Sequence, residues 1–158
     1  MANFVKGRDL RAMELGIQVV RAAAVLPAQT VTTPYFTVVG GRIILTSLNG
    51  IVTAINDGQA TTLRFQAVPS VGNLSFMSAV SASLINAEIG AMLSLDGVVA
   101  TALQYAAANS GGVGAMTKYQ VIQVGTIDAL TATATAPLTA RWTMTYVPYD
   151  DGAYVTST

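Results

Sequence analysis

From Ile17 onward the chain is a succession of short β-rich runs, each cut by proline, by paired glycines or by an Asn-Gly or Asp-Gly step. Val, Thr, Ile and Tyr suit a pleated, half-buried surface, and breaks at this spacing leave little room for a crossover helix. Residues 17–26 form the first run, which stops at Pro27. Residues 35–39 and 42–46 flank Gly40-Gly41. Glycine tolerates the positive φ of a two-residue turn, so these two runs are expected to pair as a hairpin. Asn49-Gly50 reads either as a turn or as a bulge inside one long bent strand. Residues 51–55 then lead to a turn at Asn56-Asp57-Gly58. Between 61 and 68, Leu63, Phe65 and Ala67 alternate with Arg64, Gln66 and Val68, the pattern of a half-buried strand, here stopped by Pro69. Further strands are expected at 74–84, at 87–95 ahead of Asp96-Gly97, at 118–127 and at 140–147. The 98–108 run holds enough Ala for a helix, yet Val98, Val99 and Thr101 favour a strand, and it is read as one. Residues 131–136 alternate Thr with Ala and fit a bridge or an edge strand. Eight or nine short strands with no crossover helix predict an all-β sandwich, jelly roll or barrel, with a sandwich or jelly-roll-like domain as the expected form.

Residues 1–16 differ from the rest. Lys6, Arg8, Asp9, Arg11 and Glu14 crowd charge into this segment and leave no apolar core for a signal peptide. It reads as an N-terminal arm, either extended or holding a short helix from Asp9 to Leu15 closed by Gly16. Residues 17–158 follow as a single β-rich domain. The uncharged stretches at 65–87 and 97–117 are broken by Pro69, Gly72 and Asn73, and by Ser110, Gly111, Gly112 and Gly114. Neither reads as a membrane span, which needs about 20 mostly apolar residues.

Composition narrows the function. Charged residues make up 10% of the 158, eight of each sign, and 52% are hydrophobic. An ordinary soluble chain carries about 25% charged residues. A surface so poor in charge favours a homo-oligomer or a subunit of a larger assembly. There is no His and no Cys, so imidazole- and thiol-based catalysis and metal ligation fall away. A neutral chain with so few cations is not expected to bind nucleic acid, which needs clustered Lys and Arg.

The remaining chemistry is thin. Of the carboxylates, Asp57, Asp96 and Asp151 each precede Gly, where Asp is an ordinary turn residue. Asp150-Asp151-Gly152 offers oxygens to Ca²⁺ without the further spaced ligands of a strong site. Lys6 and Lys118 are the two lysines, and neither is placed to activate a nucleophile. Gly111-Gly112-Val113-Gly114 lacks the Lys-Ser/Thr of a phosphate loop. The chain is therefore read as no enzyme, with no cofactor and no metal. Trp142, Met144 and Tyr146 share one face of the 140–147 strand, opposite Arg141, Thr143 and Thr145. They are expected in the core or in a subunit interface. The other reading of the aromatics is a face that stacks on sugar rings.

Three segments carry a resemblance: residues 36–53 (Phe-Thr-Val-Val-Gly-Gly-Arg-Ile-Ile-Leu-Thr-Ser-Leu-Asn-Gly-Ile-Val-Thr), 125–130 (Gly-Thr-Ile-Asp-Ala-Leu) and 141–155, with Trp142-x-x-x-Tyr146-x-Pro148-x-Asp150-x-Gly152-Ala153 the most distinctive. They resemble small virion structural proteins of tailed bacteriophages. The resemblance implies a capsid decoration (cement) protein, commonly a trimer of β-rich domains on the outer shell, bound to the major capsid protein and reinforcing it. It implies no catalytic residues. The protein would be made in the host cytoplasm and end on the capsid exterior, without contact to a membrane. Phe4, Lys6, Arg8 and Arg11 are then the candidate docking residues of the arm. The alternative function is a head-fibre or tail-associated module that recognises host-surface glycans.

Overall fold

The computed structural model describes residues 7–27, 31–55, 60–85, 87–112, 115–132 and 138–158. It opens with helix α1 (Gly7–Leu15), which ends at Gly16, whose N–H donates to the Ala12 carbonyl at 3.1 Å. Eleven strands follow among the described residues, arranged as an all-β sandwich of two antiparallel sheets. The first sheet has the order β1 (Ile17–Val25), β10 (Thr139–Pro148), β3 (Ile43–Ala54), β6 (Met92–Ser94), β7 (Gln104–Ala106). The far side of β3 is long enough to pair twice, and β8 (Gln120–Ile122) takes residues 43–45 while β6 takes 49–51. The second sheet runs β11 (Tyr154–Ser157), β2 (Thr32–Val39), β9 (Gly125–Ala132), β4 (Thr62–Pro69), β5 (Ser75–Phe76). Pro34 lacks a ladder donor, and it sits on β2 beyond the 36–39 stretch that pairs with β11, so no bond to that strand is lost. Among the described residues no helix is long and apolar enough to cross a membrane.

The core lies between the sheets. Trp142 from β10 meets Phe65 from β4 edge-on at 4.8 Å between ring centroids, and Tyr35 from β2 lies 6.1 Å from Trp142. The Trp142 ring fits because its cross-strand partner is Gly50, where a Cβ would stand 2.8 Å from the indole. Tyr146 reaches across the sandwich, and its hydroxyl accepts the Val155 amide of β11 at 3.2 Å.

Several strand expectations are corrected. Gly40-Gly41 does not join a hairpin: β2 belongs to the second sheet and β3 to the first, so the glycines turn a corner between layers. The backbone need was read correctly, since Gly40 has φ +79°, and a Cβ there would collide with the Gly152 carbonyl. Asn49-Gly50 is neither turn nor bulge. The bulged residues of β3 are Thr46 and Thr53, where the register against β10 slips. Each lies with its hydroxyl within hydrogen-bond reach of a β10 carbonyl, Thr145 at 3.0 Å and Thr139 at 3.2 Å, which patches the broken ladder. The 118–127 run divides into β8 and β9, which lie in different sheets. Of 87–95 only Met92–Ser94 is strand, and of 98–108 only Gln104–Ala106, with a single bridge from Ala102 to Ala79.

The 74–84 run is a strand only at Ser75–Phe76 because serine side chains replace the backbone beyond it. The amides of Phe65 and Leu63 donate to the hydroxyls of Ser78 and Ser81, at 3.3 and 2.9 Å. The return bonds run from Met77, Ser81 and Leu84 amides to the Phe65, Leu63 and Thr61 carbonyls. This irregular segment seals the β4 side of the sandwich with Met77 and Leu84 buried. The expected turn at Asn56-Asp57-Gly58 and residues 133–136 of the Thr/Ala run lie outside the described residues.

Candidate functional site: the outer face of the first sheet

The ionisable groups do not converge. Among the described residues no three of His, Cys, Asp and Glu gather around a point. Asp96 accepts the Thr117 hydroxyl, and its carbonyl takes the Thr117 amide at 2.8 Å, which fixes a loop. Asp150 is committed to Arg42: its carboxylate receives the Arg42 backbone N–H at 2.8 Å, Nε at 2.9 Å and Nη2 at 2.8 Å. These bonds hold its pKa down, at about 2. The Ca²⁺ reading of Asp150-Asp151-Gly152 thereby loses its first ligand to a guanidinium. Tyr35 is pushed up to about 12 by burial, against the opposing pull of Arg21. It stays protonated and serves packing.

Three guanidinium groups lie over rings: Arg21 over Tyr35 at 4.0 Å, Arg42, which also pairs with Asp150, over Tyr149 at 4.6 Å, and Arg64 over Phe76 at 3.8 Å. Arg21 turns inward from β1, and its Nε donates to the Thr158 carbonyl at 3.1 Å, which ties the β1 edge to the other sheet. Much of the scarce positive charge is thus laid against aromatics, leaving apolar surface uncovered.

That surface is most continuous on the outer face of the first sheet. Along β10 the outward series Arg141, Thr143, Thr145 ends in Val147. The register places Val147 beside Ile44, and Ile44 beside Val121 of β8, in one apolar row across three strands. Val121 is 52% exposed and Val147 40%. Tyr119 and Leu15 flank the row at 64% and 60%. With Glu14, Thr46, Ser47, Ala115 and Thr145 they line a shallow cleft of about 210 Å³ beneath the end of α1. The helix end touches the sheet there, where the Thr46 hydroxyl, shared with the Thr145 carbonyl, lies 3.1 Å from the Leu15 carbonyl. Leu10 and Met13 on α1 remain exposed. Apolar side chains rowed up on an exposed sheet face gain by covering, and nothing about them is catalytic.

The arm's candidate residues fall partly outside the described chain: Phe4 and Lys6 do, as do the side chains of Arg8 and Arg11, whose backbone lies in α1. Trp142, Met144 and Tyr146 are buried between the sheets, at 0%, 0% and 3% exposure. Trp142 is therefore no sugar-stacking platform, and among the described residues the exposed rings are Phe76, Tyr105, Tyr119, Tyr149 and Tyr154. Sequence reasoning missed the Val147–Ile44–Val121 row. Its one local signal was Val147 at the end of an otherwise polar outward series. No family model, no curated protein and no solved structure matches the chain.

Proposed function

We propose that the chain is a structural subunit of a tailed-phage virion, one that binds the outer capsid surface as a homo-oligomer, three copies being the expected number, and stabilises the shell. The observation that carries this reading is the exposed apolar face of Leu15, Tyr119, Val121 and Val147 on a domain that is poor in charge. Burial of such a face against a shell, repeated in each copy, supplies affinity through area and multivalency. The resemblance of the Trp142–Ala153 ending to virion proteins gives the assembly its identity. In this reading the partners are other copies and the major capsid protein, and the working location is the virion exterior.

The test is cofractionation. The purified protein is mixed with capsids that lack small outer proteins, and the particles are challenged by heat or osmotic shock. Saturable binding and a higher bursting threshold are expected. A monomer at micromolar concentration that neither binds nor protects capsids overturns the reading.

A further inference from the structure

Among the described residues five strands pair on one side only, and they are unequal. β7 and β8 are three residues long, β5 two and β11 four, whereas β1 is nine. Short edges offer little template for another strand, and long ones are normally blunted by charge or proline. β1 has neither on its outer side. Its one charged residue, Arg21, is drawn inward to Tyr35 and Thr158, and Gln18, Val20, Ala22, Ala23 and Val25 are exposed. A register slip against β10 between Arg21 and Ala24 limits the regular run to 17–21. Among the described residues, β1 pairs on one side only, with β10.

We infer that β1 is the edge through which a second copy of this chain joins, by antiparallel pairing of β1 with β1 about Val19, so that the first sheet continues across a two-fold axis. The occupant is a second copy because the other described edges are too short to match a five-residue run, whereas β1 matches itself. The pairing is also free of charge conflict: it sets Ile17 against Arg21 and Gln18 against Val20. It is isologous and closes without leaving an open edge. This deepens the proposal above by naming the surface and partner of its self-association, and it rests on that oligomer without depending on the count of three. Should trimers form through another face, the two-fold contact ties them in pairs.

Two double variants test it by native mass spectrometry at micromolar concentration, beside the wild type. Gln18→Lys with Val20→Lys puts like charges directly opposite one another twice across the axis, and Gln18→Glu with Val20→Lys puts opposite charges there. Both positions are exposed on the outer face. The expected result is that the Lys/Lys variant has half the wild-type mass and the Glu/Lys variant the full wild-type mass. A wild-type oligomer whose mass neither variant alters overturns the β1 pairing and leaves the virion proposal standing. A wild-type monomer overturns the pairing, and one that also fails to bind or protect capsids overturns the virion proposal with it. Hydrogen exchange on the wild type gives an independent reading if a variant fails to fold. Slow exchange of nearly every amide from 17 to 21 supports pairing on both sides of β1, and fast exchange of alternate amides refutes it.

Discussion

Arg42 and Asp150 join two of the corners at which the chain changes sheets. Arg42 follows Gly40-Gly41 on the way from β2 to β3, and Asp150 opens the turn from β10 to β11. The guanidinium grips the carboxylate through Nε and Nη2, while the Arg42 carbonyl receives the Tyr149 and Asp150 amides at 2.9 and 3.2 Å. The Gly-Gly-Arg and Pro-Tyr-Asp-Asp-Gly-Ala segments, far apart in sequence, form one structural unit.

The pair predicts a pH dependence. The Asp150 carboxyl is held near 2 in the folded chain, below its ordinary 3.8. A group with a lowered folded pKa adds stability that is complete above the unfolded pKa and is lost as pH falls through the folded one. Asp150→Asn is therefore expected to melt below the wild type at pH 7. The gap should narrow from about pH 4 downward and close near pH 2. Thermal melts of both proteins across this range check it, and a gap independent of pH refutes the assignment.

Gly50 and Trp142 give a packing prediction. The Gly50→Ala methyl would stand 2.8–2.9 Å from three indole carbons, inside a buried strand pair. Overpacking of this kind costs about 1–3 kcal/mol. Trp142→Ala removes the ring and should cost about 3–5 kcal/mol. Urea titrations read both, and an unchanged midpoint for Trp142→Ala would contradict its place in the core.

The serine-mediated edge is testable by one atom. Ser81→Ala leaves the buried Leu63 amide without its 2.9 Å acceptor. An amide stranded in this way costs about 1–3 kcal/mol. Hydrogen exchange at Leu63 should accelerate relative to its neighbours, and an unchanged rate would show that the hydroxyl is dispensable.

These residues also show where sequence reading stops. The face of Trp142, Met144 and Tyr146 was legible because β10 alternates strictly and one side carries all the area. Gly40-Gly41 was legible as a positive-φ site but not as a corner. The same dipeptide serves both, and the choice depends on β9, β10 and β11, which lie more than eighty residues away. The 74–84 run has strand composition, yet its serines satisfy the neighbouring amides with side chains and so end the ladder. The exposed apolar row depends on register: Val121 and Val147 become neighbours through Ile44, and no spacing along the chain announces that.

Deletion of residues 1–15 separates the arm from the domain. The structure attaches α1 to the first sheet lightly, through the Thr46 hydroxyl at the Leu15 carbonyl and the close approach of Gly16 to Tyr146. Leu10, Met13 and Leu15 are exposed, so their loss removes little buried area from the sandwich. The truncated protein is expected to keep its strand content and a melting temperature within a few degrees of the full chain, since surface changes away from core or caps usually shift stability by under about 0.5 kcal/mol. If the arm is the docking element, occupancy on capsids should fall sharply while the fold persists. Full occupancy by the truncated protein would move docking to the sheet row of Val121, Ile44 and Val147, which the deletion uncovers further. Unfolding of the truncated protein would instead show that α1 is part of the core.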